Sequence, residues 1–503
     1  MALGRAFSVA VRGVAGEIVE IEADITSGLP GVHLVGLPDA ALSESRDRVR
    51  AAIINCGNRW PMSRLTLALS PATLPKVGSV YDVALAAAVL SADRSVAAAR
   101  LEKTVLLGEL ALDGRVRPVR GVLPAVIAAK LEGWPAVVVP VENHAEAALV
   151  DGIEVHGART LRQLQSWLNG AGELDQTCRM EAAAPDDGPD LADVVGQPQA
   201  RFAVEVAAAG GHHLMLVGPP GIGKTMLAQR LPGLLPPLTE EESLEVTAIH
   251  SVAGLLSAET PLISRPPLVA PHHTTSVAAL IGGGSGLARP GAVSRAHRGV
   301  LFLDECPEIG LHALEALRTP LEEGQVRLAR RDGVAVYPAR FQLVLAANPC
   351  PCAPADPRDC ICAGAAKRRY LGRLSGPLLD RVDLRVQMHR ARTGALNADV
   401  GEPTRVVRER VVGARAAAAA RWRPYGVRTN AEVSGPLLRQ RFRLDNVAME
   451  PLRQALDKGL LSIRGVDRTI RVAWTLADLA GRERPGIEEV TTAMGFRQTG
   501  ADR

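Results

Sequence analysis

The chain has 503 residues, 47% of them hydrophobic and 3% aromatic, with a formal net charge of +4 at pH 7. This length exceeds what one hydrophobic core supports and predicts two or three domains, while the small net charge excludes nucleic-acid binding by bulk positive charge alone. No apolar run reaches the roughly 18–20 residues that span a bilayer, and we predict neither a signal peptide nor a membrane segment.

The first part of the chain alternates between short apolar strands and helical patterns. A helix is predicted at 43–56, with Ser43 as its N-cap and Gly57 after its end. Strands are predicted at 18–23, 65–69, 104–107 and 137–139. These patterns predict a mixed α/β domain over residues 1–168, followed by a linker over 169–190 that is polar, contains Pro and Gly and lacks periodicity.

A second α/β unit is predicted over residues 191–395. Its apolar strands at 214–217, 300–303 and 343–346 are separated by helical patterns, which is typical of a parallel sheet. From 396 to 503 only helical patterns remain, and two of them end at Gly459 and Gly481, where glycine suits the positive φ of a helix C-terminus. The predicted architecture is therefore a parallel-sheet core followed by a small helical domain.

A glycine-rich motif, GPPGIGKT, stands between the strand at 214–217 and a helical pattern. It comprises Gly218, Pro219, Pro220, Gly221, Ile222, Gly223, Lys224 and Thr225. In such a loop backbone N–H groups surround phosphate oxygens, the lysine reaches the β- and γ-phosphates, and the hydroxyl binds Mg²⁺. The motif predicts ATP and Mg²⁺ as cofactors and a protein driven by ATP hydrolysis.

Polar residues also end the next two strands of the second unit. Asp304 and Glu305 follow the strand at 300–303, and Asn348 follows the strand at 343–346. Asp304 is predicted to position Mg²⁺, Glu305 to activate the attacking water and Asn348 to orient that water beside the γ-phosphate. A turn asparagine before Pro349 is the alternative interpretation of Asn348.

Seven cysteines, an odd number without a secretory signal, favour a reducing, cytoplasmic location. Four of them form two C-x-C pairs, and these are Cys350, Cys352, Cys360 and Cys362. Four thiolates this close in sequence match the ligand number of a structural Zn²⁺ site, although C-x-C is tighter than the usual C-x₂-C. The alternative is a loop of four unpaired thiols.

Several longer motifs resemble a known family. The segments at 271–284 (PHHTTSVAALIGGG), 289–305 (RPGAVSRAHRGVLFLDE), 346–352 (AANPCPC) and 374–384 (LSGPLLDRVDL) look like the magnesium-chelatase-like AAA+ ATPases. Together with the N-terminal segment GLPGVHLVGLPDAALSESRDRVRAAI, they are most similar to its ComM/YifB branch. The resemblance covers nearly the whole chain and implies an AAA+ core with a helical lid.

The resemblance also implies roles for arginines. Arg381 matches the family's arginine finger, which reaches the γ-phosphate of a neighbouring subunit; an ion pair with Asp380 or Asp383 is the alternative. Arg464 matches the sensor arginine of the lid, with Arg468 as the second candidate. A finger acting between subunits implies a homo-oligomeric ring, expected to be a hexamer. Because relatives commonly carry the cysteine cluster, the resemblance favours zinc there.

The segments 69–90 and 108–122 resemble the Lon-protease fold, an α/β domain like that of ribosomal protein S5. Lon-type peptidases use a serine activated by a lysine. The position of the serine holds Val80, with Ser79 one residue away, and the position of the lysine falls among residues 121–123 (Gly-Val-Leu). We therefore expect a catalytically inactive domain that acts as a scaffold or a DNA-contacting collar.

Two segments are candidates for lining a central pore. One is the insert 271–284 with His272 and His273 at its base, and the other is a hairpin at 326–338 with Arg327, Arg330 and Arg331 near its tip. A solvated surface is the alternative for the hairpin. The resemblance implies a ring-shaped motor that drives branch migration of branched or single-stranded DNA in natural transformation. The alternatives are a metal-insertion motor and a protein-remodelling or assembly scaffold.

Overall fold

The structure is a computed structural model that describes residues 2–36, 40–176, 188–257, 259–284, 288–330, 333–390 and 401–497. Residues 177–187, which are half of the predicted linker, and Arg331 and Asp332 of the predicted hairpin lie outside the described residues. Below, residues 2–176 are called the N-terminal unit, 188–390 the core unit and 401–497 the lid.

The N-terminal unit is built on a seven-stranded sheet of order β3-β4-β2-β1-β5-β8-β9, with a separate pair formed by β6 and β7. Its strands are β1 (Ala2–Arg12), β2 (Ala15–Thr26), β3 (Gly31–Val35), β4 (Arg64–Ser70), β5 (Thr104–Leu106), β6 (Glu109–Leu110), β7 (Val116–Arg117), β8 (Ala136–Pro140) and β9 (Glu154–Ala158). Its helices are α1 (Ala40–Asn55), α2 (Asp82–Ala92), α3 (Ala98–Leu101), α4 (Val122–Leu131), α5 (His144–Ala147) and α6 (Leu161–Leu168).

Both faces of this sheet are covered. Helix α2 packs on β1 and β2 from one side and α4 packs on the same strands from the other. The strand β1 was not predicted, because burial on both faces removes the strict alternation of a half-buried strand; Ser8, Val9 and Ala10 are consecutive buried residues. The four strands that were predicted in this unit are confirmed, and their observed ends lie within about three residues of the predicted ends. Helix α1 begins at Ala40, so Ser43 lies inside the helix and its assignment as N-cap is wrong.

The core unit contains a five-stranded sheet of order β11-β14-β17-β10-β18 in which every pairing is parallel. Its strands are β10 (Leu214–Val217), β11 (Leu268–Val269), β12 (Gly282–Gly283), β13 (Arg289–Pro290), β14 (Val300–Leu303), β15 (Gln325–Arg330), β16 (Gly333–Pro338), β17 (Gln342–Ala347) and β18 (Leu384–Gln387). Its helices are α7 (Pro198–Gly210), α8 (Lys224–Leu234), α9 (Glu240–Ala253), α10 (Val277–Ile281), α11 (Ala292–Arg295), α12 (Leu311–Ala316), α13 (Arg318–Glu323), α14 (Gly364–Leu371) and α15 (Gly376–Leu379).

The predicted parallel sheet is therefore confirmed, with β10, β14 and β17 as its centre. Their side chains are buried throughout, as expected for strands with helices on both faces. The outer strands β11 and β18 have only two and four residues and gave no periodic signal in the sequence. Because all five run in one direction, the segments that follow β10, β14 and β17 meet at a single edge of the sheet.

The hairpin of β15 and β16 lies against the N-terminal unit. Gly13 makes the closest approach, since a Cβ there would lie 2.4 Å from the Val336 carbonyl oxygen, and its φ of +65° also favours glycine. Val14 packs beside it on a small apolar cluster that includes Ala335 and Tyr337. The predicted hairpin exists, but it faces the N-terminal unit and does not project freely.

The lid consists of α16 (Thr404–Trp422), α17 (Gly435–Gln440), α18 (Asn446–Asp457), α19 (Ile463–Leu479) and α20 (Ile487–Gly495). Helices α16 and α19 pack against α7 of the core unit. Trp422 is fully buried against Trp474, and its Nε1 donates a hydrogen bond of 2.7 Å to Asn430 Oδ1. Among the described residues, no helix is both long enough and apolar enough to cross a membrane.

Candidate nucleotide site

The phosphate loop connects β10 to α8 at the carboxyl edge of the core sheet. Gly221 and Gly223 have φ values of +75° and +94°, and α8 begins at Lys224 immediately after them. These left-handed conformations let the chain turn tightly enough for the start of α8 to face the loop. Pro219, Pro220 and Ile222 complete the loop between the glycines.

Lys224 is 8% exposed and fills the space that its loop encloses. Its Nζ donates hydrogen bonds to the carbonyl oxygens of Gly218 (2.5 Å) and Pro219 (2.9 Å) and to Asn348 Oδ1 (2.9 Å). Burial lowers the pKa of this ammonium group, while the nearby charges of Asp304 and Glu305 raise it. The structure thus brings the lysine of the loop together with the asparagine that follows β17, although 124 residues separate them.

Thr225 and Asp304 form a second contact between strand ends, which bridges the end of β17 because β17 lies between β10 and β14. Thr225 Oγ1 donates a hydrogen bond of 2.8 Å to Asp304 Oδ2, and Asp304 Oδ1 accepts one of 2.8 Å from the backbone N–H of Glu305. A hydroxyl and a carboxylate side by side are ligands that suit Mg²⁺, which usually keeps several waters and takes one or two carboxylates. The donor set therefore fits the predicted metal.

Glu305 has a left-handed backbone with φ of +47°, which is unusual for a residue with a side chain and costs about 1–3 kcal/mol. Its carboxylate is half exposed, and Oε2 lies 3.2 Å from His273 Nδ1. The His273 ring packs on His272 with 4.1 Å between centroids. From the sequence, His273 was predicted only to lie at the base of a pore insert, and its contact with Glu305 was not predicted. The sequence offered no local signal for this contact, because β11, which ends at the same edge four residues before His273, has only two residues.

The opposite edge of the sheet carries the predicted arginines. β18 starts at Leu384, which pairs with Leu214, the first residue of β10. Arg381 precedes β18 and therefore lies at the amino edge. The phosphate loop of the same chain follows the last residue of β10, about 10 Å of strand away. The structure does not bring Arg381 to its own loop.

A cavity of about 320 Å³ at this edge is lined by Arg381, Arg464 and Arg468, among other residues. Arg381 Nη1 donates a hydrogen bond of 2.6 Å to the Pro377 carbonyl oxygen, and its guanidinium forms an ion pair with Glu322. Burial and the neighbouring cation of Arg468 lower the pKa of Arg381. The alternative prediction of an ion pair with Asp380 or Asp383 is wrong, because Arg381 pairs with Glu322.

Arg464 and Arg468 have different environments. Arg468 Nη1 donates hydrogen bonds of 2.7 Å to Asp383 Oδ1 and of 2.9 Å to the Arg381 carbonyl oxygen. Arg464 is exposed and forms no ion pair with any residue in the described parts of the chain. Arg468 is thus engaged within the chain, and Arg464 is free to meet an external anion.

The four clustered cysteines converge in the loop that follows Asn348. The Sγ–Sγ distances are 3.4 Å for Cys350–Cys352, 3.6 Å for Cys352–Cys360 and 3.5 Å for Cys350–Cys360, and all four sulfurs, including that of Cys362, lie within 4.8 Å of one another. A tetrahedron with Zn–S bonds of about 2.3 Å has S–S edges of about 3.8 Å. A hydrogen bond with the backbone N–H of Cys362 lowers the pKa of Cys360 to about 6, whereas burial raises the pKa of Cys350 to about 12. The cluster therefore fits a tetrahedral metal.

The Lon-like segment of the N-terminal unit holds no Ser–Lys pair among its described residues. Ser79 donates a hydrogen bond to the Glu109 carboxylate, while Lys76 is fully buried and bonds the Pro71 carbonyl oxygen. The segment at the expected lysine position forms the start of α4, where Leu123 is fully buried. The hydroxyl and the amine thus have separate partners.

Three family profiles match successive parts of the chain. They are "Magnesium chelatase, subunit ChlI" over residues 190–396, "Subunit ChlI of Mg-chelatase" over 21–143, and "Magnesium chelatase, subunit ChlI C-terminal" over 401–497. With the parallel sheet, its phosphate loop and the helical lid, these matches define a magnesium-chelatase-like AAA+ ATPase.

Full-length relatives narrow this class. The chain is 78% identical to an uncharacterised protein of Mycobacterium tuberculosis over 100% of both sequences. It is 40% identical to YifB of Escherichia coli, over 99% of this chain and 97% of YifB, and 38% identical to Competence protein ComM of Haemophilus influenzae, over 99% and 98%. A shorter match is to Lon protease 2 of Bacillus subtilis, 35% identical over 19% of this chain and 17% of that protein. The chain belongs to the ComM/YifB family.

Proposed function

We propose that this protein is an ATP-driven ring motor that moves DNA, acting in branch migration during recombination and natural transformation. The observation that carries the proposal is the position of two complementary sets of groups on opposite edges of one sheet. The phosphate loop, Thr225 and Asp304 occupy the carboxyl edge, and Arg381 and Arg464 occupy the amino edge. A second copy placed head to tail brings these sets together, and repetition of such a contact closes into a ring. We propose six copies.

Each residue at the carboxyl edge has a role in this proposal. Bound ATP supplies the phosphoanhydride bond whose hydrolysis drives the motor. Lys224 exchanges its loop carbonyls for the β- and γ-phosphates, while Thr225 and Asp304 hold Mg²⁺. Glu305 accepts a proton from the attacking water, and Asn348, which already contacts Lys224, orients that water.

The arginines act on the nucleotide of the neighbouring subunit. Arg381 stabilises the charge that develops on the transferred phosphoryl group, for which its present partner Glu322 has to release it. Arg464 contacts the same nucleotide from the lid. Arg468 helps to hold Arg381 in place through its bonds to Asp383 and the Arg381 carbonyl oxygen.

Two supporting proposals concern the rest of the chain. The cysteine cluster binds one structural Zn²⁺ and anchors the loop that begins at Asn348. The N-terminal unit is a collar without peptidase activity, since Ser79 and Lys76 have separate partners; degradation of casein with ATP would contradict this. Reduced cysteines and a nucleotide substrate are consistent with the cytoplasm as the place of action.

DNA as the substrate is supported by similarity to Competence protein ComM, aligned over nearly both full lengths. A branch-migration assay on a three-strand junction tests it. We expect strand exchange with ATP and Mg²⁺, and none with Lys224→Ala. If single-stranded, forked and duplex DNA all fail to bind or to stimulate ATP hydrolysis at low salt, the proposal is wrong.

A metal-insertion motor is the second candidate, favoured by the magnesium chelatase subunit profiles. ATP-dependent insertion of Mg²⁺ into a porphyrin by this protein, without any DNA response, would select it. The fused N-terminal unit and the full-length match to ComM favour the DNA motor.

A further inference from the structure

A second cavity, of about 410 Å³, lies where the N-terminal unit meets the core unit. One wall comes from the end of β1, residues 74–81 and the start of α4, and the other from β13 and the β15–β16 hairpin. Its volume falls within the roughly 300–1,000 Å³ of typical ligand sites. None of the residues assigned to the nucleotide site lines it.

Four arginines from both units face this cavity. Arg12 and Arg120 belong to the N-terminal unit, and Arg289 and Arg330 to the core unit. None of the four forms an ion pair or a side-chain hydrogen bond with another residue in the described ranges. By contrast, Arg5 on the same strand as Arg12 is paired, with 3.2 Å between its Nε and Glu22 Oε1. Arg120, Arg289 and Arg330 are exposed at the mouth of the cavity and Arg12 is partly buried, so the four guanidinium groups form a positive cluster that attracts anions.

The acidic groups of the cavity do not neutralise this charge. Glu109 is the one acidic residue among its described lining residues, so four arginines and one glutamate leave a formal charge of +3. The Glu109 carboxylate already accepts a hydrogen bond from Ser79 Oγ, and its Oε1 lies 3.7 Å from Arg117 Nη1 outside the cavity. The four arginines therefore remain available for an external ligand.

The other lining residues indicate which anion fits. Most are aliphatic or glycine, and none of the described lining residues is Asn or Gln, the side chains that read adenine edges. Tyr81, the one aromatic residue among them, is 1% exposed and offers no face for base stacking. Guanidinium groups match phosphate oxygens in a planar, two-bond geometry. The cavity thus has the chemistry to bind phosphates without reading bases.

We propose that this cavity binds phosphate groups of single-stranded DNA, so that one strand touches both units of a subunit. This rests on the proposed function, because it takes the translocated DNA as the source of the phosphates. Arg289 lies on β13, which pairs with β12 of the insert 271–284, and His273 at the base of that insert contacts Glu305. A phosphate held by Arg289 is therefore connected through one short segment to the nucleotide site.

Binding of a fluorescein-labelled oligothymidylate to the full-length protein, measured by anisotropy at several salt concentrations, tests this. The variants are the doubles Arg12→Ala/Arg120→Ala and Arg289→Ala/Arg330→Ala. We expect each double to weaken binding by about tenfold or more and to reduce the salt slope by about 0.7 for each phosphate that is no longer neutralised. Arg289→Lys/Arg330→Lys, which keeps the charge, should retain most of the slope, and Arg5→Ala should bind like the wild type.

The outcomes separate the site from the function. If the wild-type protein does not bind the oligonucleotide at low salt, the proposed DNA motor itself is wrong. If the wild type binds and both doubles bind with the same affinity and slope, the motor stands and the cavity assignment is wrong. If calorimetry shows that the doubles lose binding of thymidine monophosphate but keep the oligonucleotide, the cavity takes a free nucleotide and its assignment to DNA is overturned. Thermal unfolding midpoints confirm that each variant is folded.

Discussion

At the scale of single residues, Glu305 is held in place from two directions. Its backbone adopts a left-handed conformation directly after β14, and its carboxylate contacts His273 from the segment after β11. Strained backbone of this kind persists where the surrounding structure imposes it, and it occurs often at active sites. The two constraints support Glu305 as the group that activates water.

Glu305→Gln should bind ATP like the wild type but hydrolyse it about 10²–10⁴-fold more slowly, because an amide cannot accept the proton. Phosphate release and binding of a fluorescent ATP analogue measure the two effects. Glu308→Gln is the matched control, since Glu308 lies three residues further on and pairs with Arg373 on the surface. Normal hydrolysis by Glu305→Gln would show that another group is the base.

His273→Ala should lower kcat several-fold and leave KM for ATP nearly unchanged, because His273 acts only by orienting the Glu305 carboxylate. The double variant His273→Ala/Glu305→Gln should be no slower than Glu305→Gln alone, as expected for residues that act as a unit. Additive losses in this cycle would mean that His273 acts independently of Glu305, and the orienting role would be wrong.

Arg381→Ala should slow ATP hydrolysis by up to about 10³–10⁵-fold. Lys224→Ala should also abolish hydrolysis, in this case through loss of nucleotide binding. A mixture of the two inactive variants should regain activity, since an intact phosphate loop can then face an intact Arg381 in a mixed ring. Arg373→Ala, which removes a surface arginine, controls for loss of charge. Full activity of Arg381→Ala, or a mixture that stays inactive, would contradict an arginine finger acting between subunits.

At the scale of elements, short loops after parallel strands carry the nucleotide site. The loop after β17 also contains the cysteine cluster. The segment after β17 passes from Asn348 directly into Cys350 and Cys352, and Cys360 and Cys362 return to the same point. A metal bound there would replace the hydrophobic packing that a loop of this composition lacks.

The protein as isolated should contain about one zinc ion per chain, released by a mercurial reagent and measured with a chromogenic chelator. Cys352→Ser and Cys360→Ser should lose the metal and lower the unfolding midpoint, because a ligand at 100 times its Kd stabilises by about 2.7 kcal/mol. Cys56→Ser, in the N-terminal unit, should retain the metal. Wild-type protein that is free of metal after purification without chelators would count against the site.

At the scale of the whole molecule, a buried polar network joins the core unit to the lid. His212 Nδ1 lies 3.1 Å from Asp383 Oδ2, and its Nε2 lies 2.7 Å from Thr475 Oγ1 on α19. Burial alone would raise the pKa of Asp383, but the hydrogen bond to His212 and the charge of Arg468 hold it well below its usual range. The network fixes the lid relative to the edge that carries Arg381.

Stability should fall as the pH drops below about 6.5. Burial lowers the pKa of His213 to about 4, against the ordinary value of 6.5, even though Asp383 nearby raises it and Arg468, His212 and Arg381 oppose protonation. The unfolded chain therefore binds the proton first, so the contribution of neutral His213 is complete above pH 6.5 and is lost between pH 6.5 and 4. Urea unfolding midpoints of the wild type and of His213→Gln are measured across this pH range, and the decline should be shallower in the variant. Equal declines would mean that another group causes the loss of stability.

Much of the core unit could be predicted from local sequence. Local sequence was enough to predict the phosphate loop, the strands β10 and β14 and the residues that follow them. In each case the strand and the turn or helix start after it lie within about fifteen consecutive residues. Helix α1 shows the limit of such signals, since its helical pattern was recognised but its start was placed at Ser43 and not at Ala40. β11 has only two residues, and β18 (Leu-Arg-Val-Gln) lacks the continuous apolar run by which β10 and β14, also of four residues, were recognised.

From the sequence alone one can identify the phosphate-loop motif, the carboxylates at a strand end, the cysteine cluster and the Lon-like segment, since each is a matter of residue types at close spacing; that the Lon-like segment is inactive stays a prediction. Only the tertiary structure decided that Arg381 pairs with Glu322, that His273 contacts Glu305 and that four arginines from two units share one cavity. These depend on which strands are neighbours and which edge each loop leaves from. Strand order is set by packing across the whole sheet, and no local pattern encodes it.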